Sequence, residues 1–113
     1  MIEKRIKIPI YNVQLCIYYD NHEELKKLND SFGYNEFLEC FHGRTFWHDS
    51  TNRFRMLIRN DVKVTAGVIA HECKHMVNFI FISRGIELDL NNDEPECYLL
   101  EWLINKIHSI IKI

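Results

Sequence analysis

GVIAHECKHMVNFIF, residues 67–81, is the stretch on which the reading of this chain turns. It contains no proline, and its apolar density continues without a break signal from Thr65 to Arg84. Gly85 then stands where a helix commonly ends in a left-handed residue, with Ile86 placed to make the hydrophobic contact that accompanies such a stop. The expectation is one long helix over about residues 65–84. Val68, Ile69, Ala70, Met76, Val77, Phe79 and Ile80 give it an apolar character, and His71, Glu72 and His75 interrupt that character. Four residues advance a helix by about 400°, so His71 and His75 project from the same face one turn apart. Polar groups without partners are costly in apolar surroundings, and a ligand shared by the two imidazoles offsets that cost.

The elements on either side follow from the same signals. Downstream, the polar connector ELDLNND leads into EPECYLLEWLINKIHSIIKI, which has Pro95 near its first helical position. Leu99, Trp102, Leu103, Ile107 and Ile110 form a stripe at helical spacing, so a second long helix closes the chain and packs on the first. Upstream, residues 5–19 alternate and are rich in Ile, Val and Tyr, which predicts a first strand with a break or an edge at Pro9. DNHEELKKLNDSFG supplies Asp20 or Asn21 as an N-cap, Leu25, Leu28 and Phe32 at helical spacing, and Gly33 as a stop. GRTFWHD and RFRMLIR flank the short polar connector STN, a hairpin over about 44–49 and 53–59. The resulting class is α+β, a small, mostly antiparallel sheet with two long helices, in a single domain spanning residues 1–113.

Composition narrows the functional classes. A chain of 113 residues with 47% apolar content can bury a core without staples. Its formal charge of −2 comes from 16 acidic and 14 basic residues mixed along the chain, which argues against direct nucleic-acid or anionic-lipid binding. Pro9 and polar residues interrupt the start of the chain where a signal peptide needs an apolar run, and no stretch is long enough to span a membrane. A cytoplasmic location is expected. Cys16, Cys40, Cys73 and Cys97 lack paired CxxC spacing and read as reduced, mostly buried thiols.

His71, Glu72 and His75 form the HExxH arrangement, which on a helix sets two imidazoles on one metal ion with a carboxylate beside it to orient and deprotonate water. With six His in 113 residues, chance puts this pattern somewhere in the chain only roughly 3% of the time. Zinc is the ion such ligands suit, and a catalytic zinc takes three protein ligands and leaves one position open. The extended signature with Gly and His after the second histidine is excluded, because Asn78 and Phe81 occupy those positions. Glu94, at the start of the returning helix, is favoured as the third ligand. Glu96 is its competitor, but its spacing from Asp93 reads as a capping box. His48 is either an oxyanion stabiliser or a surface histidine near a turn. Cys73, about 200° from His71, points into the core, and Cys97 is a conceivable ligand only in a structural zinc site.

HECKH followed by an acidic helix start resembles the gluzincins. The whole chain, through IPIYNVQLCIYY, TFWHD, TAGVIAHECKH and SRGIELDLNNDEPECYLLEWL, is similar to small zincin-like proteins encoded by tailed phages and prophages. The resemblance implies a minimal zincin core: a twisted sheet, an active-site helix and a C-terminal helix. It implies Zn2+ held by His71, His75 and Glu94, with Glu72 as general base. Tyr98 stands where many gluzincins carry an acid that orients a ligand, leaving Asp93 or Tyr98 for that support. The expected activity is that of a zinc metallopeptidase acting on a peptide or protein. The alternative is a non-catalytic phage protein that keeps zinc for folding and binds a partner, such as an inhibitor of a host system.

Overall fold

The computed structural model describes residues 1–34, 42–48 and 50–112, and the fold it shows is α+β. Along the chain run β1 (Ile2–Ile8), β2 (Val13–Asp20), α1 (His22–Ser31), β3 (Gly43–His48), β4 (Arg53–Arg59), α2 (Ala66–Ser83) and α3 (Glu94–Ile111). Cys40, Asp49 at the end of the expected hairpin strand, and Ile113 lie outside the described residues.

The strand expected over residues 5–19 is in fact a hairpin. β1 and β2 pair antiparallel from Ile2↔Tyr19 to Ile8↔Val13, and Pro9 opens the reversal between them. The turn escapes a sequence reading because it lacks glycine. Ile10 sits at φ 71 and Asn12 at φ 53, and a β-branched residue in the left-handed region runs against ordinary turn chemistry. The turn is tied down from elsewhere: Arg84 donates from Nε to the Tyr11 carbonyl at 2.8 Å and from Nη2 to the Asn12 carbonyl at 3.0 Å.

β2 runs parallel to β4, and β3 pairs antiparallel on the outer side of β4, giving the sheet order β1-β2-β4-β3. Strand alternation divides the two faces. Ile6, Ile8, Leu15, Ile17, Phe54, Met56 and Ile58 point toward α2 and α3 and form the main core with Ile69, Met76, Ile80, Leu103 and Ile107. Tyr18, Phe46 and Leu57 point the other way and pack with Leu25 of α1. Full burial of a Leu or Ile contributes roughly 1.5–3 kcal/mol, so the buried stripe Leu99, Leu103, Ile107 and Ile111 is what holds α3 in place.

The helix ends follow their sequence signals. Asn21 caps α1, accepting from the Glu24 amide at 2.9 Å. Thr65 caps α2, accepting from the Val68 amide at 3.2 Å. At the far end of α2, Ile86 N–H donates to the Phe81 carbonyl at 2.8 Å and Gly85 N–H to the Ile82 carbonyl at 3.1 Å, with Gly85 at φ 67. This is the pair of bonds a Schellman stop makes, and it explains why the helix ends where it does. Among the described residues, no helix is long and apolar enough to cross a membrane.

Candidate metal centre

α2 meets the rest of the protein on three sides. Ile69, Cys73, Met76, Val77 and Ile80 bury into the core. Glu72 faces the edge strand β3, and Lys74 faces the first turn of α3. At about 100° per residue, His71 and His75 fall on the strip between these two flanks, and that strip is open. The His71 side chain is 67% exposed, and His75 is exposed as well. The histidines therefore do not interrupt a buried surface, as the composition of the helix suggests. Of the three motif residues only Glu72 is buried, at 6% exposure, so the cost of hiding a polar group falls on the carboxylate.

That cost is met by β3. Thr45 Oγ1 donates to Glu72 Oε1 at 2.8 Å and lies 3.2 Å from the Glu72 carbonyl. Gly43, two residues earlier on the same face of the strand, leaves room for the side chain, since a Cβ there would stand 3.0 Å from Glu72 Cγ. With Oε1 held on β3, the other oxygen, Oε2, lies 3.9 Å from His71 Nε2. The three motif side chains line a cleft of about 730 Å3 together with His42, Gly43, Thr45, Val68 and Phe79.

The two imidazoles meet edge to face, with ring centroids 4.8 Å apart and planes at 79°. Their Nε2 atoms are 3.2 Å apart. Two nitrogens bound to one tetrahedral zinc at about 2.05 Å lie about 3.3 Å from each other, so the pair already has the spacing that a shared ion requires. His75 also faces the Phe79 ring, with centroids 6.5 Å apart and planes at 21°.

The glutamates of α3 are placed differently. Glu96 forms an ion pair with Lys74, which also donates to Asn78 Oδ1 at 2.8 Å. The capping box expected of Glu96 is therefore not made: Asp93 has no side-chain cap bond, and the Glu96 carboxylate is drawn to an ammonium group across the helix interface. Glu94 is the exposed first residue of α3 and does not line the cleft. Among the described residues, no group of three or more His, Cys, Asp or Glu is gathered to hold an ion. The structure sets the His71 and His75 rings together beside the Glu72 carboxylate and leaves Glu94 outside the cleft lining.

His48 lies at the far end of β3, exposed and outside the cleft. Its Nδ1 is 2.9 Å from Ser50 Oγ, the environment of a turn histidine. Cys73 is buried, as its phase on the helix predicts, and burial pushes its thiol up to about 12. Cys97 is exposed on α3 and Cys16 is half-buried, so the thiols are less uniformly buried than expected. His42, Gly43, Arg44 and Thr45 are among the residues of the cleft that sequence reasoning missed. Alternation in GRTFWH sets Gly43, Thr45 and Trp47 on one face of β3, but nothing in the sequence says that this face meets Glu72. No protein-family model, no curated protein and no solved structure matches the chain.

Proposed function

We propose that the protein is a zinc-dependent metallopeptidase in which His71 and His75 hold the ion, Glu94 is the third protein ligand and Glu72 is the general base. The observation that carries this reading is the 3.2 Å separation of the two Nε2 atoms, with Glu72 Oε2 3.9 Å from one of them in an open cleft. When bound, zinc supplies a Lewis acid that polarises a carbonyl and lowers the pKa of water to about 7. The rest of the chemistry belongs to the chain. Glu72 has one oxygen engaged by Thr45 and presents the other to the cleft, so it accepts a proton from the attacking water at Oε2 and returns it to the leaving amine. Glu94 suits the role of third ligand because the Lys74–Glu96 ion pair docks the first turn of α3 beside the histidines, and Glu94 opens that turn with an exposed side chain.

A peptide is the substrate that suits this cleft. β3 forms one wall and is a terminal strand in the sheet order, so an extended backbone can pair along it while its scissile carbonyl faces the histidines. The test is the metal content of purified wild type and His71→Ala by mass spectrometry, followed by cleavage of a peptide library by the zinc-loaded protein. About one zinc per chain that is lost in His71→Ala, with cleavage that a chelator abolishes, is the expected result. Full occupancy in His71→Ala overturns the ligand assignment. Zinc without cleavage of any peptide overturns the peptidase reading and leaves a site that serves folding.

A further inference from the structure

A glutamate side chain has three rotatable bonds, and a general base works only when its proton-accepting oxygen is held in one of the resulting directions. The histidines that would hold the metal come from α2 itself, and from the same helix the His71 ring approaches Glu72 Oε2 only to 3.9 Å, beyond hydrogen-bond distance. Among the described residues, two features of β3 approach this side chain from outside the helix. One is the Thr45 hydroxyl, which donates to Oε1 at 2.8 Å. The other is the missing side chain of Gly43, where a Cβ would stand 3.0 Å from Glu72 Cγ and 3.6 Å from Cδ. Gly43 has no positive φ, so backbone conformation does not require glycine there. The Glu72 stem is what a side chain at this position would displace.

We infer that β3 is the positioning element for Glu72: the Thr45 hydroxyl holds Oε1, the gap at Gly43 accepts the side-chain stem, and together they aim Oε2 at the histidine pair. The inference rests on the role of Glu72 as general base. Thr45 and Gly43 are positioning residues, since both act through the carboxylate. The assignment also gives a reason for the burial of Glu72: a carboxylate clamped against an edge strand cannot rotate into solvent, as an exposed one would.

The test compares Thr45→Val, which keeps the shape and removes the donor, with Thr45→Ser, which keeps the donor, and with Gly43→Ala. Two readouts are taken on folded protein of verified zinc content: kcat and KM on a peptide that wild type cleaves, and crystal structures of the metal-free variants. Thr45→Val and Gly43→Ala should each lower kcat by about tenfold or more with KM and zinc content unchanged, and Thr45→Ser should stay within about threefold of wild type. In crystals of Thr45→Val the Glu72 carboxylate should leave β3, whereas in Thr45→Ser it should stay. A threonine with a merely structural role would lower the melting temperature without changing kcat per zinc-loaded molecule, and that result overturns the inference. So does an unmoved Glu72 carboxylate in Thr45→Val. If wild type cleaves no peptide, the peptidase reading fails, and the crystal comparison alone decides whether β3 holds Glu72.

Discussion

Glu72→Gln separates the chemistry of the site from its architecture, and the structure sets the size of each effect. Glu72 is 6% exposed, with Oε1 2.8 Å from the Thr45 hydroxyl and Oε2 3.9 Å from His71 Nε2. Glutamine has the same shape, so its amide oxygen can replace Oε1 opposite Thr45 and its NH2 then takes the place of Oε2. The hydrogen bond survives without its charge. Bonds to charged groups contribute roughly 1.5–3 kcal/mol and neutral ones roughly 0.5–1.5, a loss of about 1 kcal/mol. Removing a buried charge recovers part of that loss, so the melting temperature should move by no more than about 4 °C. With Glu72 in the proposed role of base, the effect on cleavage should be far larger, because the amide cannot take a proton. Losing a general base costs about 10²–10⁴ in rate, or roughly 3–5 kcal/mol of barrier. Zinc per chain by mass spectrometry, calorimetric melting and cleavage of a common peptide, all on the same preparations, measure the three quantities. Zinc content and stability near wild type with cleavage lost is the expected outcome. Wild-type cleavage by Glu72→Gln would refute Glu72 as the base, and loss of zinc would show that the carboxylate is part of the ligand set.

Four further expectations concern zinc itself, Glu94, Glu96 and Asp61. Zinc at about 100 times its Kd should stabilise the folded chain by about 2.7 kcal/mol and raise the melting temperature by about 10 °C, and His71→Ala should abolish that rise in a calorimetric titration. Glu94→Ala should weaken zinc binding by more than about tenfold in competition titrations, a scale that residues beyond the ligands themselves can reach. Glu96→Ala, which breaks the partly exposed ion pair with Lys74, should cost under about 1 kcal/mol and weaken zinc binding less than Glu94→Ala does, because the buried stripe of α3 still holds the helix, and the opposite ranking would make Glu96 the ligand. The Arg59 side chain, by hydrogen bonding to Asp61, lowers the Asp61 carboxyl from 3.8 to about 2. A depressed carboxyl adds stability that is present above its unfolded value of 3.8 and lost as pH falls through about 2, so urea midpoints should drop over that window in wild type and drop less in Asp61→Asn.

Much of the fold was legible because it is encoded locally. Thr65, Gly85 and Ile86 bound α2 through contacts within a turn of its ends. Pro95 marks the start of α3, and the spacing of Leu99, Leu103 and Ile107 marks its buried side. The connector between β3 and β4 is short and polar, with Asn52 at φ 52. The break at Pro9 was legible, but the reversal it opens was not, because Ile10 and Tyr11 have strand character and the turn is held by Arg84, more than seventy residues away. The burial of the motif residues was misread for a related reason. The sequence shows that α2 is apolar on average, but only its docking against the sheet and α3 decides which strip stays open.

The sequence by itself determined that His71 and His75 share a face, because 3.6 residues per turn leaves the i and i+4 positions no alternative once the helix forms. It likewise determined that Glu72 would stand to one side of them and that Cys73 would be core. Tertiary structure alone decided what Glu72 touches. Thr45 is 27 residues away in the chain, on a strand whose distance from α2 depends on the order of the sheet and on the packing between them. The same holds for Glu96, whose local partner was the cap of its own helix and whose actual partner is Lys74, 22 residues earlier. Local periodicity places side chains on faces, whereas contacts between elements depend on how the core closes, and no short stretch of this chain encodes that.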